Sequence, residues 1–490
     1  MADIAMVGAG IAGTACGLFL ARRGHRVTLF ERERELPSGD PGWDFLEQRR
    51  PRVPQAAQPH SFLAPVRDVL LAEAPEVYAR MLELGARERH EFDWFDQHPP
   101  YRPGDERLVT VEARRIVLET ALSEAAERQP GLERRVGDGV RGLTVDQDGS
   151  VPGVRGVVAD SGEHRADLVL DAAGRRSPVP GWLVAAGCRP PAVESQRVGV
   201  DYYCRWYRHR QDGPPPPGRV LRGSVSPFAV GLVFPADGDV FALAVTASSS
   251  DPGRRALRDP AVFEAAARTF PATARWLALD PEPISGVRAM AGLDNRWTGL
   301  VDRLGPVATG LALVGDSASH TNPTQGQGVP HALWTARRLA RTAATAVTDP
   351  VGFALAHHAW AVRTVKPWFD QQLTLDAAND ARLRAAFAGS PGGSVSPGDP
   401  VDPVGPADPA AASPGPAQAV PPPMRCALED PVVMRARSLV RHLIALPEAA
   451  YGTDEVRAAV ARWLRGNPVS VPAQDGPDHA TWTLLTAAGR

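Results

Sequence analysis

The first residues of the chain show an apolar pattern that changes its period twice. Residues 4–7 are all apolar, which is typical of a strand buried on both faces of a parallel sheet. Residues 12–23 follow a helical pattern, and Gly24 comes next as a residue that commonly ends a helix. Residues 26–30 form a second apolar run that ends at Glu31. This strand–helix–strand order predicts an α/β protein with a parallel sheet.

The same pattern divides the rest of the chain into helical and extended segments. Helical periodicity predicts helices over residues 66–84, 115–128, 329–346, 350–387 and 425–465. Short apolar and β-branched runs predict strands over residues 143–145, 154–159, 168–170, 198–207, 220–226, 228–234, 241–246 and 311–314. The chain therefore has a β-rich middle followed by a helical C-terminal part.

The composition excludes several classes of function. The chain of 490 residues has 54 basic and 56 acidic side chains and a net charge of −2, so we expect no nucleic-acid binding. Its four cysteines lie far apart without zinc-ligand spacing, which indicates reduced thiols and no metal site. Residues 4–21 carry no charge but contain several glycines, which argues against a membrane span. We expect a cytoplasmic protein without stable membrane insertion.

The strongest motif is Gly8-Ala9-Gly10-Ile11-Ala12-Gly13, which lies between the first strand and the first helix. In a motif of this kind, Gly8 makes the tight turn and Gly10 lets a pyrophosphate approach the backbone. Gly13 lets the helix and the strand pack closely. The free N–H groups of the helix N-terminus attract phosphate, and Glu31 can accept hydrogen bonds from a ribose hydroxyl. The motif predicts a dinucleotide site.

Two further turns follow predicted buried strands. Gly315-Asp316 follows the run 311–314, and an acidic residue at such a place suits a ribityl or ribose hydroxyl. Asp171 and Gly174 follow the run 168–170, which by itself is more typical of a plain turn.

In this order and spacing, the three motifs resemble the flavoprotein monooxygenases of the p-hydroxybenzoate-hydroxylase fold, the group A monooxygenases. The resemblance is nearest to bacterial flavin-dependent epoxidases and hydroxylases and covers about residues 3–340. It also rests on short stretches elsewhere in the sequence, namely Arg52-Val53-Pro54-Gln55 with His60, Gly181-Trp182-Leu183, Tyr202 to Arg208, Phe234-Pro235, and Gly326-Gln327-Gly328 after Pro323.

The resemblance implies an α/β fold in which a Rossmann-like FAD-binding domain with a parallel sheet is interleaved with a mixed β-sheet substrate domain. A C-terminal helical region follows. The implied boundaries are residues 1–180 and 291–345 for the FAD-binding domain, 181–290 for the substrate domain, 346–389 for a helical region, 390–423 for a Pro-rich flexible loop, and 424–490 for C-terminal helices and a tail.

The resemblance also implies a set of cofactor-binding residues. Arg115 resembles the family's cofactor-contacting arginine, although Arg114 beside it leaves the register open. Many hydroxylases have an asparagine where this chain has Pro330, so one flavin hydrogen bond is lost or replaced. The implied residues are Gly8, Gly10, Ile11, Ala12, Gly13, Glu31, Arg32, Arg115, Asp171, Gly315, Asp316, Gly326, Gly328 and Val329.

The activity that the resemblance implies is insertion of one oxygen atom from O2 into a small hydrophobic substrate through a flavin C4a-hydroperoxide. This covers aromatic hydroxylation and alkene epoxidation, in bacterial secondary metabolism. The reductant is NADPH or NADH bound transiently, or a separate flavin reductase, because the sequence has one convincing dinucleotide motif. The chemistry is borne by the flavin, so no catalytic side chain is assigned with certainty. Candidates to line the substrate pocket are Tyr203, Arg205, Tyr207, Phe234 and Pro323.

Three alternatives remain open. A flavin-dependent halogenase would have a Trp-x-Trp-x-Ile-Pro motif and a catalytic lysine, but the chain lacks the motif and its one lysine, Lys366, lies far downstream. An isoprenoid reductase or cyclase of the same fold would use FAD without oxygen. A flavin-binding sensor or scaffold would have no turnover.

Overall fold

The computed structural model describes residues 1–47, 53–95, 98–217, 223–387, 422, 424–467 and 475–487. Of the sequence predictions, Arg52, the start of the strand at 220–226, and the flexible loop at 390–423 apart from Pro422 lie outside the described residues.

The strands are β1 (Asp3–Val7), β2 (Arg26–Glu31), β3 (Arg87–His90), β4 (Val109–Glu112), β5 (Leu132–Val136), β6 (Val140–Asp146), β7 (Gly153–Ala159), β8 (Gly162–Arg165), β9 (Leu168–Asp171), β10 (Ala192–Arg197), β11 (Val200–Arg208), β12 (Gly223–Val225), β13 (Ala229–Pro235), β14 (Val240–Ser248), β15 (Glu282–Pro283), β16 (Arg288–Met290), β17 (Asp294–Gly299), β18 (Val301–Asp302), β19 (Gly305–Pro306), β20 (Leu311–Leu313) and β21 (Ser319–His320).

The α-helices are α1 (Ile11–Ala21), α2 (Pro41–Glu47), α3 (Ala64–Glu73), α4 (Pro75–Glu83), α5 (Arg115–Glu127), α6 (Val179–Ala185), α7 (Pro260–Ala267), α8 (Pro271–Leu277), α9 (Gly328–Thr342), α10 (Thr345–Thr348), α11 (Pro350–Thr364), α12 (Lys366–Phe387), α13 (Met424–Glu429), α14 (Pro431–Arg441), α15 (Pro447–Tyr451), α16 (Asp454–Gly466) and α17 (His479–Ala487).

A parallel sheet has the order β20-β9-β1-β2-β5. We call this sheet and the elements packed on it the N-terminal part, although β20 and α9 come from later in the chain. One face packs against α1, α5 and α9 around a large apolar core, and the other face packs against the antiparallel sheet β6-β7-β8. Because the strands are parallel, their carboxyl ends lie along one edge, which we call the carboxyl edge. The prediction of an α/β fold with a parallel sheet is confirmed.

A second, six-stranded sheet stands apart from the parallel one, and its strands pair in antiparallel fashion. It has the order β12-β13-β14-β11-β15, and β16 also pairs with β11. One face of this sheet packs on α7, α8 and α17 in an aromatic core that includes Phe241, Phe263 and Trp482. We call this the outer face. The opposite, inner face contacts the N-terminal part of the chain through Trp206, whose ring lies 5.1 Å from that of Phe45.

The C-terminal helices pack on two different parts of the molecule. Helix α14 lies on the N-terminal part, where Arg435 on this helix pairs with the buried Asp105 at 2.7 Å. Helix α17 lies on the six-stranded sheet instead, and Trp482 donates its indole N–H to Asp251 at 2.9 Å. The predicted segment 424–490 is therefore not one structural unit.

Several predicted helices are divided where the sequence places a proline or a turn. The helix predicted over residues 66–84 is two helices, because Pro75 has no N–H to continue the first one and instead starts the second. The long segments 329–346 and 350–387 each contain two helices, and 425–465 contains four. Helices α7 and α8 were not predicted, because they have only 8 and 7 residues and so give a short periodic signal.

In the described part of the chain, no helix has both the length and the apolar character that a membrane crossing requires. The same residues contain no group of histidine, cysteine or acidic side chains suited to hold a metal ion.

One buried ion pair connects the part of the molecule built on the parallel sheet with the six-stranded sheet. Arg114, at the start of α5, donates from Nη2 to Asp237 at 2.6 Å, and its backbone N–H donates to the same carboxylate at 2.7 Å. Asp237 lies in the turn between β13 and β14, and both side chains are less than 10% exposed. The guanidinium of Arg114 also lies 4.9 Å from the ring centroid of Phe45.

We predict that Asp237→Ala destabilises the protein by about 3–5 kcal/mol, because it leaves the Arg114 guanidinium buried without its carboxylate. Asp239→Ala is the matched control, since Asp239 is 65% exposed and pairs with Arg87 only at 3.4 Å. The control should change the free energy of unfolding by less than about 0.5 kcal/mol. Denaturant unfolding of the three proteins measures both values, and equal losses in the two variants would contradict the prediction.

Candidate functional site

The three glycines of the first motif have different surroundings. Gly8 has a φ of +99°, and a Cβ there would lie 2.8 Å from the Ala172 carbonyl oxygen. A Cβ on Gly13 would lie 1.9 Å from the Gly8 carbonyl oxygen. A Cβ on Gly10, by contrast, would meet only Arg115 Nη2 within 4.0 Å among the described residues. Packing within the protein therefore accounts for Gly8 and Gly13, whereas the space beside Gly10 is open to a ligand.

The N-terminus of α1 offers donors to such a ligand. Gly10 is the residue that precedes the helix, and no side chain caps it. The first N–H groups of a helix have no partner inside the helix, so those of Ile11, Ala12 and Gly13 are free to bind phosphate. The first turn contains no acidic side chain to oppose an anion. The open space and the free donors fit the pyrophosphate of FAD.

Glu31 ends β2 at the carboxyl edge, next to this turn. Its carboxylate accepts the backbone N–H groups of Ala9 and Glu33, both at 2.9 Å, and it is only 7% exposed. These two bonds hold the side chain against the Gly8–Gly13 turn while leaving lone pairs for a ribose hydroxyl. Arg32, the next residue, is exposed.

The sequence did not decide which of the adjacent Arg114 and Arg115 contacts the cofactor, and the structure separates the two. Arg115 is half-buried beside Gly10 and donates from Nε to Glu119 at 2.8 Å. Arg114 instead forms the buried pair with Asp237 described above. Arg115 is therefore the one of the two that lies at the Gly8–Gly13 turn. We call this turn and the Gly315-Asp316 turn the cofactor turns.

The Gly315-Asp316 turn lies directly against the Gly8–Gly13 turn. Gly315 has a φ of +63°, and a Cβ on it would come within 2.9 Å of the Ala12 Cβ. Asp316 accepts a hydrogen bond from Gln55 Nε2 at 3.1 Å. Helix α9 begins at Gly328, where an added Cβ would lie 3.7 Å from Asp316 Oδ1.

The remaining residues of the predicted set near this turn are Gly326 and Val329. Gly326 has a φ of +66° and ends a short 3₁₀ turn, and Val329 is half-buried against the apolar core of the N-terminal part. Most of the predicted cofactor residues thus come together at the carboxyl edge around Gly10 and Asp316.

The Asp171 side chain is not exposed to the open space beside Gly10. Its carboxylate is fully buried, where it accepts the Ser177 hydroxyl at 2.6 Å and the Ala173 N–H at 2.9 Å. Burial raises the pKa of Asp171 to about 6. The structure therefore places Asp171 at the carboxyl end of β9, where its buried carboxylate holds the turn that follows the strand.

The predicted substrate residues on β11 lie on the outer face. Tyr203 and Tyr207 are buried in the aromatic core beneath α7 and α8. Arg205 pairs with Glu264 of α7 at 2.6 Å. These three residues face away from the cofactor turns, which argues against their expected place in the substrate pocket. Successive residues of a strand point to opposite sides, and β11 is buried on both, so hydrophobicity did not indicate which side faces the site.

The inner face of β11 carries the residues that the sequence prediction missed. Tyr202 donates its hydroxyl to Asn322, and Trp206 donates its indole N–H to the Ala57 carbonyl at 2.8 Å. Phe234 is half-buried and packs beside Trp206 on this same face. Pro323 is exposed and follows Asn322 directly. Phe234 and Pro323 therefore lie on the side of the sheet that faces the cofactor turns.

Comparison with known proteins agrees with this geometry. Residues 3–45 match the family model described as FAD dependent oxidoreductase. Protein Rv3254 of Mycobacterium tuberculosis is 28% identical over 348 residues, which are 66% of this chain and 69% of that protein.

Solved structures share the fold. PqsL, a probable FAD-dependent monooxygenase from Pseudomonas aeruginosa, has a TM-score of 0.58 at 18% identity over 79% of this chain and 99% of its own. The myxobacterial chondrochloren halogenase CndH has a TM-score of 0.56 at 18% identity over 79% of this chain and 89% of its own. The chain therefore matches the FAD dependent oxidoreductase model over its first strand–helix–strand unit, and it has the fold of these solved monooxygenase and halogenase structures.

We predict that Gly10→Asp abolishes FAD retention without unfolding the protein. Gly10 has a φ of −74°, which any residue adopts, and the space around it is open. Aspartate is also a favourable residue before a helix, but here it would occupy and repel the phosphate position. FAD titration monitored by flavin fluorescence and a thermal unfolding curve measure the two effects.

Gly181→Asp is the control for Gly10→Asp, because Gly181 lies in the first turn of α6 with no atom within 4 Å of an added Cβ. The control should bind FAD as the wild type does. Unchanged FAD affinity in Gly10→Asp would show that the cofactor does not bind at this turn.

We predict that Asp171→Asn removes one component of the pH dependence of stability. The pKa of Asp171 is about 6 in the folded protein and about 3.9 in an unfolded chain. Between these values the folded state binds more protons, so its contribution to stability falls as pH rises from about 4 to about 6, by at most ~1.4 kcal/mol per pH unit. Urea unfolding of both proteins from pH 4 to pH 7 should give a difference that changes across this window. Parallel curves would contradict the prediction.

Proposed function

We propose that this protein is an FAD-dependent monooxygenase that inserts one oxygen atom from O2 into a small hydrophobic substrate. The observation that carries the proposal is that the cofactor turns and the inner face of the six-stranded sheet meet at the Asn322–Pro323 segment. The cofactor turns at the carboxyl edge lie on one side of it, and the apolar inner face of the six-stranded sheet lies on the other.

The cofactor side would be held by the residues at the open turn. The free N–H groups of α1 would bind the pyrophosphate, Arg115 would contribute positive charge beside them, and Glu31 would accept from the adenosine ribose. Asp316 would accept from a hydroxyl of the ribityl chain or ribose. FAD, when bound, supplies the oxygen chemistry, and the protein orients the substrate and excludes water.

The substrate side is apolar and contains small residues. Half-buried apolar side chains lie on the inner face of β13, and they pair with small residues of β14. The pairs are Val230 with Thr246, Leu232 with Ala244, and Phe234 with Ala242. Ala242 and Ala244 are themselves buried, so the half-buried Val230, Leu232 and Phe234 are the apolar side chains that would favour a hydrophobic ligand. This surface supports the proposed hydrophobic substrate. The proposed reaction on that substrate is aromatic hydroxylation or alkene epoxidation, in secondary metabolism.

The reductant would be NADPH or NADH bound transiently, or a separate flavin reductase. The sequence contains one convincing dinucleotide motif, and FAD occupies it in this proposal.

The halogenase alternative is disfavoured by the place of Lys366. Its ammonium lies 2.9 Å from Glu194 Oε2 and also pairs with Asp370. It also lies 5.1 Å from the ring centroid of Phe369. These contacts hold the chain's one lysine on β10 and α12, away from the inner face.

We predict that the purified protein binds FAD and that a hydrophobic substrate increases both NAD(P)H oxidation and oxygen uptake. A panel of aromatic and alkene compounds, with and without an added flavin reductase, tests the reaction in an oxygen electrode. Product mass should increase by one oxygen atom. Protein that binds FAD but converts a compound without consuming oxygen would favour the reductase or cyclase alternative.

The two faces of the sheet provide matched variants for the same assay. Phe234→Ala should raise the KM of the stimulating compound about tenfold, because it removes apolar contact on the inner face. Tyr207→Phe removes only a hydroxyl that donates to Glu264 at 3.2 Å on the outer face, and it should leave KM unchanged. The reverse result would place the substrate on the outer face.

A further inference from the structure

Asp376, on α12, is a carboxylate buried among amide groups. It is 4% exposed. Its Oδ1 accepts Asn322 Nδ2 at 2.6 Å and Gln372 Nε2 at 2.9 Å, and its Oδ2 accepts Asn295 Nδ2 at 2.7 Å. No arginine, lysine or histidine of the described residues forms an ion pair with it. Three side-chain N–H donors therefore satisfy this buried carboxylate in place of a cation.

These donors fix the orientation of Asn322. Because Asn322 Nδ2 donates to Asp376, its Oδ1 faces the Tyr202 hydroxyl, which donates to it. The backbone N–H of Asn322 donates to Asn295 Oδ1 at 2.6 Å. Asn295 is thus held at both ends of its amide as well. The hydrogen bonds determine the direction of both asparagine amides without ambiguity.

Asn322 is also the residue that begins the segment on which Pro323, Gly326 and Gly328 lie. It caps the 3₁₀ turn Pro323–Gln325, and its Oδ1 accepts the Thr324 N–H at 3.4 Å. Through Asn322, one carboxylate of the C-terminal helical region thus connects α12 with the cofactor segment and with Tyr202 on the inner face of β11. Burial raises the pKa of Asp376, and the three amide hydrogen bonds oppose that rise.

We propose that Asp376 is a positioning residue that sets the Asn322–Gly328 segment against Tyr202 and thereby aligns the cofactor turn with the substrate face. The proposal rests on the proposed function, because it assigns this segment to the FAD site. It gives the C-terminal helix α12 a role in the site that its distance along the chain from the glycine motifs does not suggest.

An amide in place of the Asp376 carboxylate could not make the same hydrogen bonds. In the Asp376→Asn variant, the remaining oxygen would accept from Asn322 and Gln372, and the new NH2 group would point at Asn295 Nδ2, which is also a donor. Asn295 could not turn to accept, because its Oδ1 holds the Asn322 N–H. Asp376→Asn should therefore displace Asn295, and with it the Oδ1 that holds the Asn322 N–H, although the carboxylate and the amide have the same shape.

The test compares Asp376→Asn with Asp370→Asn, a control on the same helix whose side chain is 41% exposed. Asp376→Asn should weaken FAD binding about tenfold and change the visible circular dichroism of the FAD that remains bound. Asp370→Asn should change neither. Far-UV circular dichroism and thermal unfolding establish that each variant is folded.

A reciprocal variant separates positioning from general stability. Asn322→Asp combined with Asp376→Asn restores one carboxylate and one amide in exchanged places, and aspartate still caps the turn. The double variant should recover most of the FAD affinity and the wild-type dichroism, whereas Asn322→Asp alone should not. A double variant no better than Asp376→Asn would overturn the proposal.

If Asp376→Asn does not fold, Tyr202→Phe tests the other end of the same connection, because it removes only the hydroxyl that donates to Asn322. It should change the visible dichroism of bound FAD, and an unchanged spectrum would overturn the proposal. Wild-type protein that binds no FAD would refute the proposed function. Wild type and Asp376→Asn with equal FAD affinity and equal spectra would refute this inference alone.

Discussion

Close packing of backbone at the carboxyl edge of the parallel sheet is the constraint on which the site depends. A Cβ on Gly8 would collide with the turn after β9, and a Cβ on Gly13 would collide with Gly8 itself. Gly315 brings the turn after β20 equally close to Ala12. Three segments far apart in the sequence can converge there only because these positions lack side chains. The convergence leaves the N-terminus of α1 uncapped and open beside Gly10.

A second constraint is the connection between the parallel sheet and the six-stranded sheet. Arg114 and Asp237 join the start of α5 to the β13–β14 turn inside the protein, where water cannot replace either partner. Tyr202 and Trp206 add hydrogen bonds from the inner face to Asn322 and Ala57. Together these contacts place an apolar sheet next to the cofactor turns. In the proposed function, this arrangement would protect a reactive flavin from water.

The C-terminal part contributes more to the site than its sequence indicates. Helices α14 and α16 show amphipathic patterns, but α12 shows almost none. The buried Asp376 on α12 is one of 56 acidic side chains in the chain. Only the fold reveals that Asn295, Asn322 and Gln372 direct their amides at this carboxylate. Polar residues that meet across long sequence separations have no local signature, because their hydrogen bonds do not depend on a helical or strand period.

The sequence by itself determined the parts of the protein that depend on local geometry. The motif Gly8–Gly13, the strand before it and Glu31 after it predicted the parallel sheet and the dinucleotide turn, because a tight turn and a close approach require glycine at set spacings. The tertiary structure alone decided three other features. It separated Arg115 from Arg114, and it buried Asp171 at the end of β9. It also assigned Tyr203, Arg205 and Tyr207 to the outer face. The physical reason in each case is that a side chain's partners come from distant parts of the chain. On β11, which is buried on both sides, only the packing partners determine which face meets the site.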